Sequence, residues 1–465
     1  MIRLFRIFIP TSVIALLISE LVLIFFCYLF AIVIVPNGAD PVVFFLDDNG
    51  FGRIAVVTLC IMSGMYLQDL YWKFRIQSKV LLVQQLCLVV GVSFMVQAVL
   101  TYMRLDSWTL PKWTMIAGSA IMLILLPSWR ILYEGLVLRA LGRVRLLFLG
   151  SSPLIAEIVK GIADRPELGF ESIGYLADDP LQAADPVFLR LLGGVADVKG
   201  VVEKTKPDRI VVGMTERRQH LPVFDLLDLR FGGIPVEEAQ TLYEKTFGRV
   251  ATATLRPSQL IFSAELGPRA GHVAFQSFYN FAIALTATLV TLPLMLVVAL
   301  LIKTTSPGPI LFRQRRVGRN GVIFTVYKFR SMRHNAEAGT GAVWAVRDDP
   351  RITPLGRWLR RLRLDELPQL FNVLRGNMSI AGPRPERPEF VTVLNEKIPY
   401  YRQRLCVKPG ITGWAQINHK YGDTVEDAIV KLEYDLFYIK NLAFSLDVYI
   451  MFQTAKVMLL SRGSQ

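Results

Sequence analysis

The strongest constraint on this chain is a series of four long apolar stretches near its start, at residues 7–35, 54–71, 80–103 and 113–133. A helix that spans a bilayer needs about 20 predominantly apolar residues, so each stretch can cross a membrane. The first stretch is too long for the apolar part of a signal peptide, and no small-residue cleavage site follows it. We therefore predict a four-helix transmembrane unit over residues 1–140.

The composition requires a second part that is exposed to water. Hydrophobic residues make up 52% of the chain and its mean hydropathy is +0.41, which is high for a soluble protein. Charged residues nevertheless make up 19%, too many for spanning helices alone. The net charge of +14 is compatible with nucleic acid, anionic lipid or phosphorylated substrates as partners. Because of the apolar stretches we expect the last two, and no nucleic acid.

The charges of the loops predict how the four-helix unit is oriented. Arg3 and Arg6 precede the first stretch, further basic residues fill the second loop, and Arg143 and Arg145 follow the fourth stretch. The first loop is instead acidic overall. Basic loops stay in the cytoplasm, so both ends of the unit are expected on the cytoplasmic side.

Residues 141–245 alternate between strand and helix patterns. Strand patterns at 145–150, 172–176, 209–212 and 234–236 are separated by helical patterns at 153–163, 197–204 and 223–229. This alternation predicts a parallel, doubly wound sheet in a Rossmann-like cytoplasmic domain. A dinucleotide site would need further glycines after Gly150, but Ser151, Ser152 and Pro153 follow it. Nucleotide binding and a structural, regulatory or oligomerising role are the two alternatives for this domain.

A fifth apolar stretch, at residues 278–302, is predicted to enter the membrane without crossing it. A linker at 246–276 precedes it, and a full crossing would export the dense basic residues that begin at Lys303, against the positive-inside rule. Pro293 lies near the middle, where a proline removes an amide donor and kinks a helix. We predict a re-entrant helix over 277–303 that bends at Pro293. A proline-kinked full span is the alternative.

Residues 304–465 are predicted to form a membrane-associated α+β catalytic domain that opens with a β-hairpin. Asn320-Gly321 is a strong two-residue hairpin signal, and extended patterns flank it at 310–316 and 322–329. Lys328 and Arg330 lie where this hairpin ends.

A basic amphipathic helix follows the hairpin. Thr353-Pro354 has the pattern of an N-cap and a first helical residue. The apolar side chains that then share one face are Leu355, Trp358, Leu359 and Leu362, with arginines on the other faces. Such a helix suits an anionic membrane surface. A core helix with a solvated arginine face is the alternative.

The adjacent carboxylates Asp365 and Glu366 are the leading candidates for catalysis. Pro368 suits the first turn of a new helix, whose amides favour anionic groups nearby. One carboxylate can attack phosphorus while the other holds Mg²⁺ on a diphosphate, since Mg²⁺ takes few protein carboxylates plus substrate oxygens. A helix cap with a surface ion pair is the competing interpretation.

Further motifs follow in order, at residues 376–385 (GNMSIAGPRP), at 408–416 (KPGITGWAQ), and at Tyr434-Asp435 with Tyr438. Together with the Asp-Glu pair they resemble the bacterial polyprenyl-phosphate sugar-1-phosphate transferases of the monotopic phosphoglycosyl transferase superfamily. The resemblance covers about residues 277–460, the catalytic core of that family. The four spans and the α/β domain resemble the large members that initiate O-antigen, capsule or exopolysaccharide synthesis.

This resemblance implies a reaction and a set of site residues. Asp365 would attack the β-phosphorus of a UDP-sugar, release UMP and form a phosphosugar–aspartate intermediate, which undecaprenyl (polyprenyl) phosphate would then attack. Glu366 matches the family's Mg²⁺ ligand, and Arg384 of the Pro-Arg-Pro motif would bind phosphate. Lys328, Arg330 and Gln416 are expected as further substrate-binding neighbours.

The resemblance also implies partners and a location. The partners would be a UDP-sugar, undecaprenyl phosphate and the lipids of the bacterial inner membrane, with the catalytic domain on the cytoplasmic face. We further predict a homo-oligomer, a dimer. The chain departs from the usual family pattern at Ala381, often a valine, and at Asn377, where an aspartate is common. Asn377 lacks that charge and is not assigned to the metal.

The sequence also bears on the branch of the family and on two other functions. Residues 234–262, through Tyr243-Glu244 and the RPS at 256–258, are most similar to the exosortase-associated exopolysaccharide branch. A nucleotide-dependent sugar reductase or dehydratase would need an intact glycine fingerprint and a Tyr-x-x-x-Lys pair, and neither is well placed. A non-enzymatic membrane scaffold for polysaccharide export would not need the Asp-Glu pair.

Overall fold

The computed structural model describes residues 2–35, 41–71, 79–137, 142–178, 190–214, 221–255, 267, 270–333, 349–419, 422 and 424–459. The chain divides into two compact units. The N-terminal unit consists of Met1–Ile2 and Phe8–Glu237, and the C-terminal unit consists of Arg3–Ile7 and Glu238–Gln465. The motif residues Arg256, Pro257 and Ser258 lie outside the described ranges.

The first part of the chain is helical and apolar, as predicted. Two short strands, β1 (Ile2–Leu4) and β2 (Ile7–Ile9), are followed by helices α1 (Thr11–Ile34), α2 (Pro41–Leu46), α3 (Gly50–Leu67), α4 (Lys79–Tyr102) and α5 (Lys112–Leu132). Among the described helices, five are long and apolar enough to cross a membrane: a later one at residues 271–305, and α1, α3, α4 and α5. The inner faces of α1, α3, α4 and α5 form one apolar core that includes Leu16, Tyr28, Ile61 and Met122. This is the architecture of a membrane protein.

An ion pair lies inside this helical core. Arg130 on α5 donates from Nε and Nη2 to the two carboxylate oxygens of Glu20 on α1, over 2.5 and 3.0 Å. Its Nη1 donates to the carbonyl of Leu70 over 3.1 Å. Both charged side chains are buried. Because a charge in apolar surroundings is tolerated only when it is paired, the ion pair fixes α1 against α5.

The rest of the N-terminal unit is an α/β sheet domain. Its elements are β3 (Val144–Leu149), α6 (Pro153–Asp164), β4 (Phe170–Leu176), β5 (Leu191–Gly193), α7 (Val198–Thr205), β6 (Arg209–Val212), α8 (Val223–Phe231) and β7 (Val236–Glu238). The strand order is β5-β4-β3-β6-β7, and β3 runs parallel to both β4 and β6. Gly150 directly follows β3 with φ +105°, and a β-carbon there would lie 2.6 Å from the Met214 side chain, so this turn requires glycine.

The C-terminal unit combines helices with two small sheets. It begins with α9 (Ala239–Phe247), α10 (Ala270–Thr305), β8 (Leu311–Val317), β9 (Ile323–Phe329), α11 (Pro354–Arg361) and α12 (Gln369–Leu374). It continues with β10 (Ser379–Ala381), α13 (Pro388–Lys397), β11 (Gly410–Thr412), α14 (Trp414–Asn418), α15 (Val425–Lys440) and α16 (Phe444–Leu459). Strands β8 and β9 pair antiparallel, and β10 and β11 pair parallel.

The predicted hairpin forms with a longer turn than expected. Val317 pairs with Ile323, so five residues connect the strands instead of two. Asn320 and Gly321 both adopt positive φ, of 56° and 82°, as the sequence signal requires. Arg319 precedes them in a short 3₁₀ turn that lengthens the connection.

Helix α10 contacts the rest of the C-terminal unit along one face. The buried residues of this face include Gln276, Asn280, Ala284, Met295, Val298 and Ile302. Near the start, Asn280 donates to Ser379 Oγ over 2.9 Å and accepts from the Ile380 amide over 3.1 Å. Near the end, Ile302 packs in an apolar cluster with Phe329. The other face exposes large apolar side chains such as Phe278 and Val290, as expected for contact with lipid.

A buried polar network joins the start of α10 to α15 and α16. The carboxylate of Asp447 accepts from Gln276 Nε2 over 2.9 Å, from Tyr438 Oη over 2.8 Å, and from Tyr279 Oη. The single hydroxyl proton of Tyr438 is shared with the carbonyl of Ala381, whose oxygen lies 3.1 Å from Oη. The carboxylate has three donors, which compensates for its burial. Tyr438, a motif residue, therefore anchors α10 to the strand that leads to the Pro-Arg-Pro motif.

The apolar stripe predicted on α11 divides between two environments. Leu355 and Leu359 pack in the cluster that contains Ile302, whereas Trp358 and Leu362 are exposed. The guanidinium of Arg361 lies 5.7 Å from the Trp358 ring centroid. The helix thus has features of both predicted forms, a core contact and an exposed apolar edge bordered by arginine.

Candidate active site

The acidic pair lies in a turn between two helices. Helix α11 starts as predicted, because Thr353 Oγ1 accepts from the Gly356 amide over 2.9 Å and Pro354 is the first helical residue. Arg363 then adopts φ +52°, and a 3₁₀ turn, Leu364–Glu366, contains both carboxylates. The six-residue helix α12 begins after Pro368, which is its N-cap.

Glu366 is surrounded by cations. Its Oε1 accepts from Lys328 Nζ over 2.8 Å and from Arg384 Nη2 over 3.0 Å. Arg363 Nη1 lies 3.7 Å from Oε2. The Glu366 side chain is only 12% exposed. A surface ion pair, the competing interpretation of the sequence, does not describe this geometry.

The two carboxyl groups have pKa values shifted in opposite directions. Burial of Asp365, which is 8% exposed, and the neighbouring charge of Glu366 raise the pKa of Asp365, although Lys328 opposes the shift. Burial acts to raise the pKa of Glu366 as well, but Lys328 and Arg384 outweigh it and hold that pKa below its ordinary range. Divergent pKa values in adjacent carboxyls indicate different roles, with Asp365 the more basic.

The hairpin and α12 together position Lys328. Asn372 on α12 accepts from the Tyr327 amide over 3.1 Å and donates to the Thr325 carbonyl over 2.7 Å. This clamp on β9 fixes the backbone next to Lys328. Burial lowers the pKa of the Lys328 ammonium, and Glu366 opposes that shift.

Arg384 is held by a second ion pair behind it. Arg404 Nη2 donates to the Arg384 carbonyl over 3.0 Å, while Arg404 Nε donates to Asp435 Oδ2 over 2.9 Å. Arg404 and Asp435 are both buried. The backbone at Arg384 is therefore fixed, and its partly exposed guanidinium can meet a substrate phosphate on one side and Glu366 on the other.

The other predicted site residues lie in different surroundings. Arg330 is buried and donates from Nη2 to the hydroxyl and carbonyl of Ser306, where α10 ends, over 2.6 and 2.9 Å. Gln416 donates to the Ile411 carbonyl over 3.3 Å. Within the described residues neither forms a hydrogen bond with the Asp-Glu pair. Pro293 lies inside α10, which continues through it as one helix.

Two arginines near the acidic pair were not predicted as site residues. Burial raises the pKa of Asp365, and the charge of Arg360 opposes that rise. The Nε of Arg360 donates to Ser331 Oγ over 2.9 Å. Arg363 faces Glu366 Oε2. Both belong to the arginine-rich segment that runs directly into the pair. That proximity in sequence is the available signal, although the segment is predicted above as a membrane-facing helix or as a core helix with a solvated arginine face.

The donor set fits Mg²⁺ bound jointly with a diphosphate. Within the described ranges, no three histidine, cysteine, aspartate or glutamate side chains gather into a metal cage. Mg²⁺ commonly uses one or two protein carboxylates and completes its shell with water and substrate phosphates. Asp365 and Glu366 supply two carboxylates, and Glu366 Oε2 lies beyond hydrogen-bond distance of Arg363.

Comparison with known proteins identifies the family. A family model described as bacterial sugar transferase matches residues 272–461. The exopolysaccharide production protein PSS of Rhizobium leguminosarum bv. phaseoli is 44% identical over 185 residues, which cover 39% of this chain and 92% of that protein. The chain belongs to the bacterial sugar transferase family. Every predicted site residue, from Lys328 to Gln416, lies within the matched segment of this bacterial sugar transferase.

Two longer relatives also resemble this bacterial sugar transferase. The UDP-N-acetylgalactosamine-undecaprenyl-phosphate N-acetylgalactosaminephosphotransferase of Aeromonas hydrophila is 43% identical over 232 residues, 50% of this chain and 54% of that protein. A UDP-glucose:undecaprenyl-phosphate glucose-1-phosphate transferase of Klebsiella pneumoniae is 34% identical over 316 residues, 67% of this chain and 66% of that protein. The chain thus spans about half of the first relative and just under two thirds of the second.

Proposed function

We propose that this bacterial sugar transferase moves a sugar-1-phosphate from a UDP-sugar to undecaprenyl phosphate, releasing UMP and forming a polyprenyl-diphosphate sugar. The observation that carries the proposal is the buried Asp365–Glu366 pair, whose carboxyls have pKa values shifted in opposite directions among Lys328, Arg384 and Arg360. This arrangement provides one basic carboxylate for attack and a cationic shell for phosphate oxygens. The names of the two longer relatives support the same substrate classes.

The proposed reaction has two displacements at one phosphorus atom. The Asp365 carboxylate forms a bond to the β-phosphorus of the UDP-sugar, and the bond to the bridging oxygen breaks, so that UMP leaves with the electron pair. A phosphate oxygen of undecaprenyl phosphate then forms a bond to the same phosphorus, and the carboxylate of Asp365 leaves. Both nucleophiles are anions, so neither needs a general base.

The surrounding residues would hold the phosphates in place. Arg384 and Lys328 offer donors to the non-bridging oxygens, and the Arg404–Asp435 pair keeps the Arg384 backbone in position. Glu366 would supply the carboxylate for Mg²⁺. When bound, Mg²⁺ would offset the negative charge that develops on the departing UMP.

We further infer that α10 is re-entrant and that the C-terminal unit lies on the cytoplasmic face of the bacterial inner membrane. A 36-residue helix is about 54 Å long, and the hydrocarbon core is about 30 Å thick. A globular unit on one side of a bilayer would contact only the near end of a crossing helix. Here one unit contacts α10 from Asn280 to Ile302, which supports a helix that stays near one surface. The bend at Pro293 stays a prediction.

Finer features of the architecture are part of the same proposal. The strand order of the α/β domain supports a Rossmann-like, doubly wound arrangement, and α1, α3, α4 and α5 support a four-helix transmembrane unit. The homodimer and the exosortase-associated branch stay predictions.

Two residues of the segment that resembles this branch, residues 234–262, hold α9 on α15. Tyr243 donates to Glu433 Oε2 over 3.1 Å, and Glu244 pairs with Lys440 over 2.9 Å.

A UMP-release assay tests the function. The purified full-length chain is supplied with Mg²⁺, undecaprenyl phosphate and, in turn, UDP-glucose, UDP-galactose and their N-acetylated forms. We expect sustained UMP release with one preferred sugar, dependent on both lipid and metal. The scaffold alternative would be supported instead if no UDP-sugar is turned over and an Asp365→Asn strain still secretes polysaccharide normally.

A further inference from the structure

The backbone of the Pro-Arg-Pro motif cannot be held by ordinary strand pairing. The pairing of β10 with β11 ends where the Gly410 amide donates to the Pro383 carbonyl over 2.9 Å. Pro383 and Pro385 have no amide proton, so the motif cannot continue the ladder as a strand. Backbone carbonyls inside a folded protein need donors, and those of this motif must find them in other segments.

Strand β8 supplies two of these donors. Arg316 Nη1 donates to the Pro385 carbonyl over 2.9 Å, and the Val317 amide donates to the Glu386 carbonyl over 2.9 Å. From the other side, Arg404 donates to the carbonyl of the central arginine of the motif. Four consecutive carbonyls of the motif segment therefore have donors, and the segment is held between β8 and the chain that leads into β11.

Arg316 is itself fixed in the orientation that meets the motif. Its Nε and Nη2 both donate to Gln314 Oε1, over 3.0 and 2.6 Å. Glu386 Oε2 lies 3.6 Å from its Nη1. The Arg316 side chain is 20% exposed, whereas Arg315, on the opposite face of β8, is exposed. The guanidinium of Arg316 is thus engaged with Gln314 and with the backbone of the motif, while the partly exposed guanidinium of Arg384 is placed to meet substrate.

We propose that Arg316 is a positioning residue for the transfer: by holding the Pro385 carbonyl, it directs the Arg384 guanidinium toward the phosphate that is transferred. This inference rests on the proposed function, because it gives Arg316 a part in the same site. The connection is short, since Pro385 directly follows Arg384, whose Nη2 donates to Glu366 Oε1 over 3.0 Å. A displacement of a phosphate-binding group by about 1 Å can slow a reaction by about a hundredfold.

A double-mutant cycle with the full-length protein tests this role. Arg316→Met should lower kcat/KM for UMP release at least about tenfold. In an Arg384→Met background the same change should cost less than about twofold, because no guanidinium is left for Arg316 to direct. Arg316→Lys keeps one donor for the Pro385 carbonyl and should recover part of the loss. Long incubations quantify the slow turnover expected in the Arg384→Met background.

Two further variants separate this role from a general effect on stability. Arg315→Met removes an exposed arginine from the same strand and should leave kcat/KM unchanged. Gln314→Met keeps Arg316 but removes the acceptor that orients it, so kcat/KM should fall about threefold. Thermal unfolding in detergent verifies that each variant is folded.

Hydrogen exchange, followed by mass spectrometry, gives a readout that needs no turnover. The Glu386 carbonyl protects the Val317 amide, so release of the motif should speed exchange there in Arg316→Met and not in Arg315→Met, after correction for intrinsic rates. If wild type turns over no UDP-sugar, the proposed function fails, and faster exchange would still retain Arg316 as the residue that holds Arg384 in place. Equal losses of kcat/KM in both backgrounds, or unchanged exchange at Val317, would overturn the inference.

Discussion

The ammonium of Lys328 donates to Glu366 Oε1 over 2.8 Å and joins the end of the hairpin to the turn that carries Asp365. This contact places one cation where it acts on both carboxyls. It holds the pKa of Glu366 down and opposes the rise in the pKa of Asp365. Lys328 therefore affects the pKa values of both carboxyl groups, and the pH dependence of activity tests this effect.

The pH profile should have an acid limb set by Asp365. An attacking carboxylate must be ionised, so kcat/KM should fall as the pH is lowered through the pKa of Asp365, which burial and Glu366 raise above its ordinary value. Lys328→Met removes a cation that opposes this rise, so the acid limb should move to higher pH. Lys397→Met, at an exposed position on α13, should leave the limb unchanged. An unshifted limb in Lys328→Met would show that another group sets it.

Asp365→Asn should abolish turnover while leaving the fold intact. The substitution keeps the size of the side chain and removes the anionic nucleophile, so UMP release should fall at least about a thousandfold. Wild-type protein given a UDP-sugar and no lipid should gain a sugar-phosphate mass on the peptide that contains Asp365. The variant should not gain it. Turnover near the wild-type rate in Asp365→Asn would favour direct attack by the lipid phosphate.

Glu366→Gln should change the metal requirement. The wild-type carboxylate stays ionised well into the acidic range, since Lys328 and Arg384 hold its pKa down, so it can support Mg²⁺ throughout the active pH range. Loss of that charge should cut turnover at least about a hundredfold, and added Mg²⁺ should restore part of it. Glu396→Gln on α13 is the control. A rate loss with an unchanged Mg²⁺ dependence would place the metal elsewhere.

Local patterns predicted much of this chain, whereas long-range contacts could not be predicted. The N-cap Thr353 and the turn residues Asn320 and Gly321 act on neighbours a few residues away, so their effects can be inferred from adjacent sequence. Lys328 with Glu366, and Arg404 with the Arg384 carbonyl, depend on how separate segments pack. The motifs indicated that Lys328, Glu366 and Arg384 belong to one site, but only the fold shows which groups touch and that Arg404 supports Arg384.

Cysteine labelling tests the predicted topology. In a variant whose native cysteines are replaced by serine, Asp47→Cys in the first loop should react with a membrane-impermeant thiol reagent in intact spheroplasts. Glu396→Cys on α13 should react only after the membrane is permeabilised. Both positions are exposed, so burial does not explain a difference between them. Labelling of Glu396→Cys in intact spheroplasts would support a full crossing by α10.

The Glu20–Arg130 pair should make a single substitution more harmful than a double one. Glu20→Gln leaves the buried guanidinium of Arg130 without its counter-ion, although the carbonyl of Leu70 still accepts from it. Breaking a buried pair in this way costs about 3–5 kcal/mol of unfolding free energy. Glu20→Met/Arg130→Met removes both charges and should recover most of that loss, because apolar side chains of similar size suit the helical core. The measurement is reversible unfolding in mixed micelles with increasing dodecyl sulfate, with the exposed Glu203→Gln as the control. If the double variant is less stable than Glu20→Gln, the prediction fails. The two side chains would then stabilise the bundle through contacts other than the neutralisation of each other's charge.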